Sequence, residues 1–194
     1  MSWDSAEDFL RREAERDHAS GVLPRAVMMA FHGEDARALG FCRHTRPGEP
    51  DLGMALFELA QFAQLLRPDR LLCAMPATVR PLTAEPLVMG TRALAVQKLI
   101  RSARNLVESA RLLPYGLEDD GALRWEEPVT IPEAAPADMR RTLRAVLLAD
   151  SPRSCPDLGA VAAMLVRWGH LIAVAPGVLD QDVSRYPNHD DRIC

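Results

Sequence analysis

The chain nearly lacks lysine: Lys98 is the only one, and every other basic side chain is an arginine. Most lysine-dependent chemistry is thereby removed. Paired cysteines are missing too. Cys42, Cys73, Cys155 and Cys194 are widely separated and never form a Cys-x-x-Cys pair, so they read as free thiols, with Cys42 and Cys73 as small core hydrophobes. No Gly-x-Gly occurs, and the lone lysine is not preceded by the glycines of a phosphate-binding loop. Both common nucleotide-binding signatures are therefore absent. Gly-x-Ser-x-Gly is absent as well, which disfavours a nucleophile elbow and leaves only a triad scattered in sequence. Aromatic residues make up 5% of the chain, too few for base-stacking platforms. No apolar run approaches the ~20 residues needed to span a bilayer. The acidic start, Met1 to Asp8, has no apolar segment of the signal-peptide kind, and the expected localisation is cytoplasmic.

What is present is the composition of an ordinary soluble globular protein: 194 residues, 48% hydrophobic, 26% charged, with a net charge of -4. Such a chain can bury a sizeable core, and it has no whole-molecule attraction for nucleic acid or an anionic membrane. One domain over 1–179 is expected, followed by a polar, loosely ordered tail over 180–194. A near-repetition suggests the architecture. Pro50-Asp51-Leu52-Gly53 opens an amphipathic run leading to Leu71–Met75, and Pro156-Asp157-Leu158-Gly159 opens a second leading to His170–Ala175. Each reads as a helix followed by a short buried strand. Because the flanking segments align poorly, coincidence or convergence on the same helix-start chemistry explains the match better than duplication.

Along the chain, Ser5 to His18 reads as a charged surface helix, with Ser5 and Asp8 as a capping box, Phe9 and Leu10 as its buried edge, and a stop at Gly21 and Pro24. Arg25 to His32 and Arg37 to His44 form a hairpin about Gly33-Glu34-Asp35-Ala36; neither side of the first run is strongly polar, as in a sheet covered on both faces. Leu52, Leu56, Leu59, Phe62, Ala63 and Leu66 keep one face of a helix that Pro68 ends. Leu71 to Met75 then reads as a central strand. Ala77 to Gly90, with two prolines, Pro81 and Pro86, is the best candidate for a linker or an active-site-like loop. Over 92–113 the pattern favours a helix, although two strands joined by a turn at Arg101 to Asn105 also fit. In the strand reading, Glu118 to Gly121 is a hairpin turn with Tyr115 and Trp125 on its arms. A helix over Ala137 to Ala149 buries Met139, Leu143, Val146 and Leu147. Another, over Asp157 to Trp168, is apolar nearly all round and expected to be buried, with Gly169 as its stop. His170 to Ala175 closes the fold as a second buried strand.

The expected fold is α/β or α+β, a mixed β-sheet of at least four strands (25–32, 37–44, 70–75, 170–175) with helices packed on its faces. No cofactor or metal is expected, and no catalytic residue can be assigned. His18, His32, His44, His170 and His189 lack metal-ligand spacing, and the acidic stretch around His189-Asp190-Asp191 has nothing to hold ligands rigid. His170, at a helix-to-strand junction, could serve as a base or as a helix cap. Every common catalytic signature being missing, the leading expectation is a non-enzymatic interaction or regulatory module, with a protein partner or a second copy of itself. The rival is a small cofactor-free hydrolase, its site at the ends of strands 70–75 and 170–175, near His170, Cys73 or Thr78. A third reading is weak RNA binding through an arginine stripe, Lys98, Arg101, Arg104 and Arg111, which requires 92–113 to be helical. Nucleic acid remains the less favoured partner, and no membrane is expected.

Overall fold

The computed structural model describes residues 1–42, 52–79, 90–102, 105–148 and 157–178. Alternating apolar side chains on both sides of the same strands organise everything else. In β1 (Val27–His32), Met28 and Ala30 point into one core while Val27, Met29 and Phe31 point into another. β3 (Arg70–Val79) divides in the same way, with Leu71, Cys73 and Met75 on the first side and Leu72 and Ala74 on the second. Because strand residues alternate faces, such segments must be covered twice. The helix α1 (Ala6–Ala19) covers one face; α2 (Leu52–Leu65), α3 (Ala137–Leu148) and α4 (Leu158–Arg167) cover the other.

The sheet is completed by β2 (Asp35–Phe41), β4 (Thr91–Arg101), β5 (Leu106–Leu117), β6 (Leu123–Trp125), β7 (Val129–Ile131) and β8 (Leu171–Val174). Its order is β6-β5-β4-β3-β1-β2-β8, with β7 also paired to β5. Every pairing among the described residues is antiparallel. The fold is accordingly α+β, with strands joined by hairpins and helices laid across them. No helix among the described residues is long and apolar enough to cross a membrane.

Several sequence expectations need correction. Residues 92–113 are not a helix: β4 and β5 form a long hairpin whose register runs from Arg92↔Tyr115 to Arg101↔Leu106. Ala93 to Gln97 are buried on both faces of the sheet, so no two-residue alternation marks this strand. Ala77 to Val79, expected as the start of a loop, continue β3 to its pairing of Val79 with Thr91; residues 80–89 lie outside the described ones. α4 is not buried all round, for Leu158, Ala162 and Leu165 face the core while Met164, Val166 and Trp168 are exposed. β8 is not central either. Among the described residues it pairs with β2 alone, at the sheet edge, and Leu171 is 54% exposed. Ser5 precedes α1 without a side-chain cap, because its hydroxyl turns back to Ser2 and accepts from that backbone N–H at 3.1 Å. The tail 180–194, with His189, His44 and Arg104, lies outside the described residues.

Other expectations hold. Tyr115 and Trp125 face each other across the turn, ring centroids 5.3 Å apart, and Gly121 in that turn takes a φ of +83°. Asp157 caps α4, its carboxylate accepting from the N–H groups of Gly159 at 2.8 Å and Ala160 at 3.2 Å. Gly169 stops that helix at a φ of +93°, a conformation that favours glycine. Leu52-Gly53 and Leu158-Gly159 therefore both open helices, and strands follow both, one central and one at the edge.

Candidate functional site

Along α2, Ala55, Leu56, Leu59, Ala60, Phe62 and Ala63 face the sheet. This spacing leaves Met54 and Phe57 on the flank, 49% and 43% exposed. Along α3 the buried positions are Met139, Leu143, Val146 and Leu147, leaving Asp138 and Thr142 on the facing flank. Between the first halves of these helices lies a groove of about 560 Å³, floored by Met75 of β3 and lined also by Leu52, Leu56 and Met139. The volume falls in the range of ligand sites, ~300–1,000 Å³.

The chemistry of the lining is almost wholly apolar, with three methionines converging from three elements. Its polar groups are already engaged within α3. Asp138 accepts from Arg141 at 3.0 Å, and the Thr142 hydroxyl donates to the Asp138 carbonyl at 3.1 Å. The groove thus offers adaptable surface rather than an acid, a base or an anion cradle. Sequence reasoning passed it over because its residues belong to three distant segments. The one legible signal was that Met54 and Phe57 fall outside the buried period of α2.

The residues singled out from the sequence do not assemble into a reactive centre. Cys73 is fully buried, and desolvation pushes its thiol up from the ordinary 9.0 to about 12. It stays protonated and inert at neutral pH. Thr78 sits further along β3, exposed, on the opposite sheet face from Cys73 by strand alternation. His170 is 1% exposed, and its Nε2 lies 2.7 Å from Glu58 Oε2 on α2. That pair ties α2 to the junction of α4 and β8. Register places His170 level with Met75, but β1 and β2 intervene, a separation of roughly 14 Å for three strand spacings. The two carboxyl ends once expected to form one site, those of β3 and β8, lie at opposite ends of the sheet because the strands run antiparallel.

The other candidates have structural partners. His18 bonds the Gly121 carbonyl at 2.8 Å, and His32 is an exposed strand end. In the hairpin the basic stripe disperses: Lys98 and Arg111 meet Glu7 of α1 at 2.6 and 3.6 Å, while Arg101, on the other face, donates to the Leu147 carbonyl at 2.9 Å. No cluster of His, Cys, Asp and Glu suited to a metal occurs among the described residues. Comparison with known proteins adds no relative: no family model, curated protein or solved structure matches this chain.

Proposed function

We propose that the protein is a non-catalytic interaction module that holds an apolar segment of a partner polypeptide in the groove between α2 and α3. The observation that carries this reading is the convergence of Met54, Met75 and Met139 with Phe57 on an apolar groove of about 560 Å³. Methionine is flexible and polarizable, and surfaces rich in it accept varied apolar side chains. Met54 and Phe57 remain half exposed at the rim. A small molecule lodged inside would leave them wet, whereas a helix laid along the groove would cover them with its i, i+3, i+4 and i+7 positions. The engaged state of Asp138 and Thr142 leaves little to orient a polar ligand.

Fluorescence anisotropy of the full chain against a panel of labelled amphipathic helical peptides tests this assignment. Several peptides with Leu, Met or Phe on one face are expected to bind, and Phe57→Glu should weaken them at least about tenfold, the scale of losing a central aromatic anchor. Circular dichroism unchanged in the variant would place the loss at the surface. No binding by any peptide, binding indifferent to Phe57→Glu, or uptake of a simple acyl chain in place of peptides would overturn the proposal.

A further inference from the structure

The two edges of the sheet are finished differently. At one edge β6 and β7 are each only three residues long, and β6 carries Arg124 and leads into Glu126-Glu127-Pro128 ahead of β7. Short strands, charge and proline are the usual guards against edge-to-edge pairing. Among the described residues the other edge is β8, Leu171-Ile172-Ala173-Val174, with neither charge nor proline between Leu171 and Ala175 and with Pro176 standing just beyond. Its inner groups are spoken for: Leu171 and Ala173 stand opposite Phe41 and Leu39, and the Ala175 N–H donates to the Arg37 carbonyl at 2.9 Å. In an antiparallel ladder, hydrogen-bonded positions alternate. Residues 171, 173 and 175 therefore bond to β2, and the N–H and C=O groups of Ile172 and Val174 point away from the sheet.

We infer that β8 is the contact through which two copies of this chain pair, antiparallel, about a two-fold axis at Ala173. That axis sets Ile172 of each copy opposite Val174 of the other, and both pairs exchange N–H···O=C bonds. Ala173 meets its own equivalent at the axis, where a small side chain permits close approach, and the exposed Leu171 falls opposite Ala175 of the second copy. A strand that matches itself in hydrogen bonds and in large-to-small packing is what an isologous interface requires.

Charge complementarity points the same way. Gly169 folds α4 back over β8. With a rise of about 3.3 Å per strand residue and 1.5 Å per helical residue, Ala173 lies level with the middle of α4. The axis consequently brings exposed Arg167, in the last turn of α4, toward exposed Asp157 at the start of the second copy's α4. The contact is a small one, of the size class that associates with dissociation constants on the order of micromolar.

Sedimentation velocity on the full chain over a range of concentrations tests the pairing through a charge swap. Ala173→Lys and Ala173→Glu each place two like charges at the axis, on an exposed side chain whose change leaves the core untouched. Wild-type protein is expected to dimerise, each variant alone to remain monomeric, and an equimolar mixture of the two variants to recover the dimer. A wild-type chain that stays monomeric at the highest concentration, a dimer that survives both substitutions, or a mixture that stays monomeric would overturn the inference. Pairing with an unrelated strand predicts a monomeric wild type and so counts among the overturning results.

Discussion

Cys73 offers the sharpest quantitative check on the assignment of its strand to the core. Its side chain has no exposed surface and no charged neighbour that lowers its pKa; burial alone holds the thiol up from 9.0 to about 12. The folded state thus keeps a proton that the unfolded state releases above about pH 9. Stability must therefore fall as pH rises through that window, by about 1.4 kcal/mol per unit, and the loss reaches about 2 kcal/mol near pH 10.5. Other groups titrate there too, so the informative quantity is the difference from Cys73→Ala, which cannot ionise. The variant should lose about 1 kcal/mol at pH 7 from the small cavity it creates. Urea unfolding from neutral pH to about pH 11, extrapolated linearly, measures both curves. The account requires the two to converge and then cross as pH rises. Parallel curves would refute it, because they would mean that the Cys73 thiol ionises as readily in the folded protein as in the unfolded chain.

Two further substitutions probe the packing on the two faces of the sheet. Gly40→Ala puts a methyl 2.7 Å from Leu59 Cδ2 and 3.3 Å from Ile172 Cδ1, and should destabilise by about 1 kcal/mol; in a double-mutant cycle with Leu59→Ala, costs that merely add would contradict the close approach of α2 to β2. Asp17→Ala removes the carboxylate that accepts from the Arg25 N–H at 3.1 Å and its guanidinium at 2.7 Å, leaving a largely buried cation against Phe41. A loss of about 2–4 kcal/mol in urea unfolding is expected, and a change below about 0.5 kcal/mol, as for an ordinary surface site, would contradict it.

Elements bounded by local chemistry were readable in advance, and those decided by distant partners were not. The β1–β2 hairpin announces itself through Gly33, which takes a φ of +59°, yet the group that secures its turn is Asp69, which accepts from the Gly33 N–H at 2.9 Å across 36 residues. α3 carries its buried face in its spacing, and all four expected residues are buried. β4 misleads because Leu94 and Val96 face α1 while Leu99 faces the other helices, so apolar positions from two faces read together as a helical period. β8 misleads in another way: four apolar residues suit a strand covered on both faces, and in the fold they stand at an edge. The groove was the least legible feature, since Phe57, Met75 and Met139 acquire a common purpose only once α2 and α3 lie side by side over β3.

Methionine methyl resonances give the most direct test of that groove. The chain has eight methionines, and labelling their methyl carbons allows a peptide that binds in the anisotropy assay to be mapped by NMR titration of the full chain. Binding in the groove predicts saturable shifts at Met54, Met75 and Met139, with Met28 and Met29 beneath the helices of the two cores and Met164 on α4 left in place. Shifts centred on Met164, or binding that moves none of the three groove methyls, would contradict the proposal.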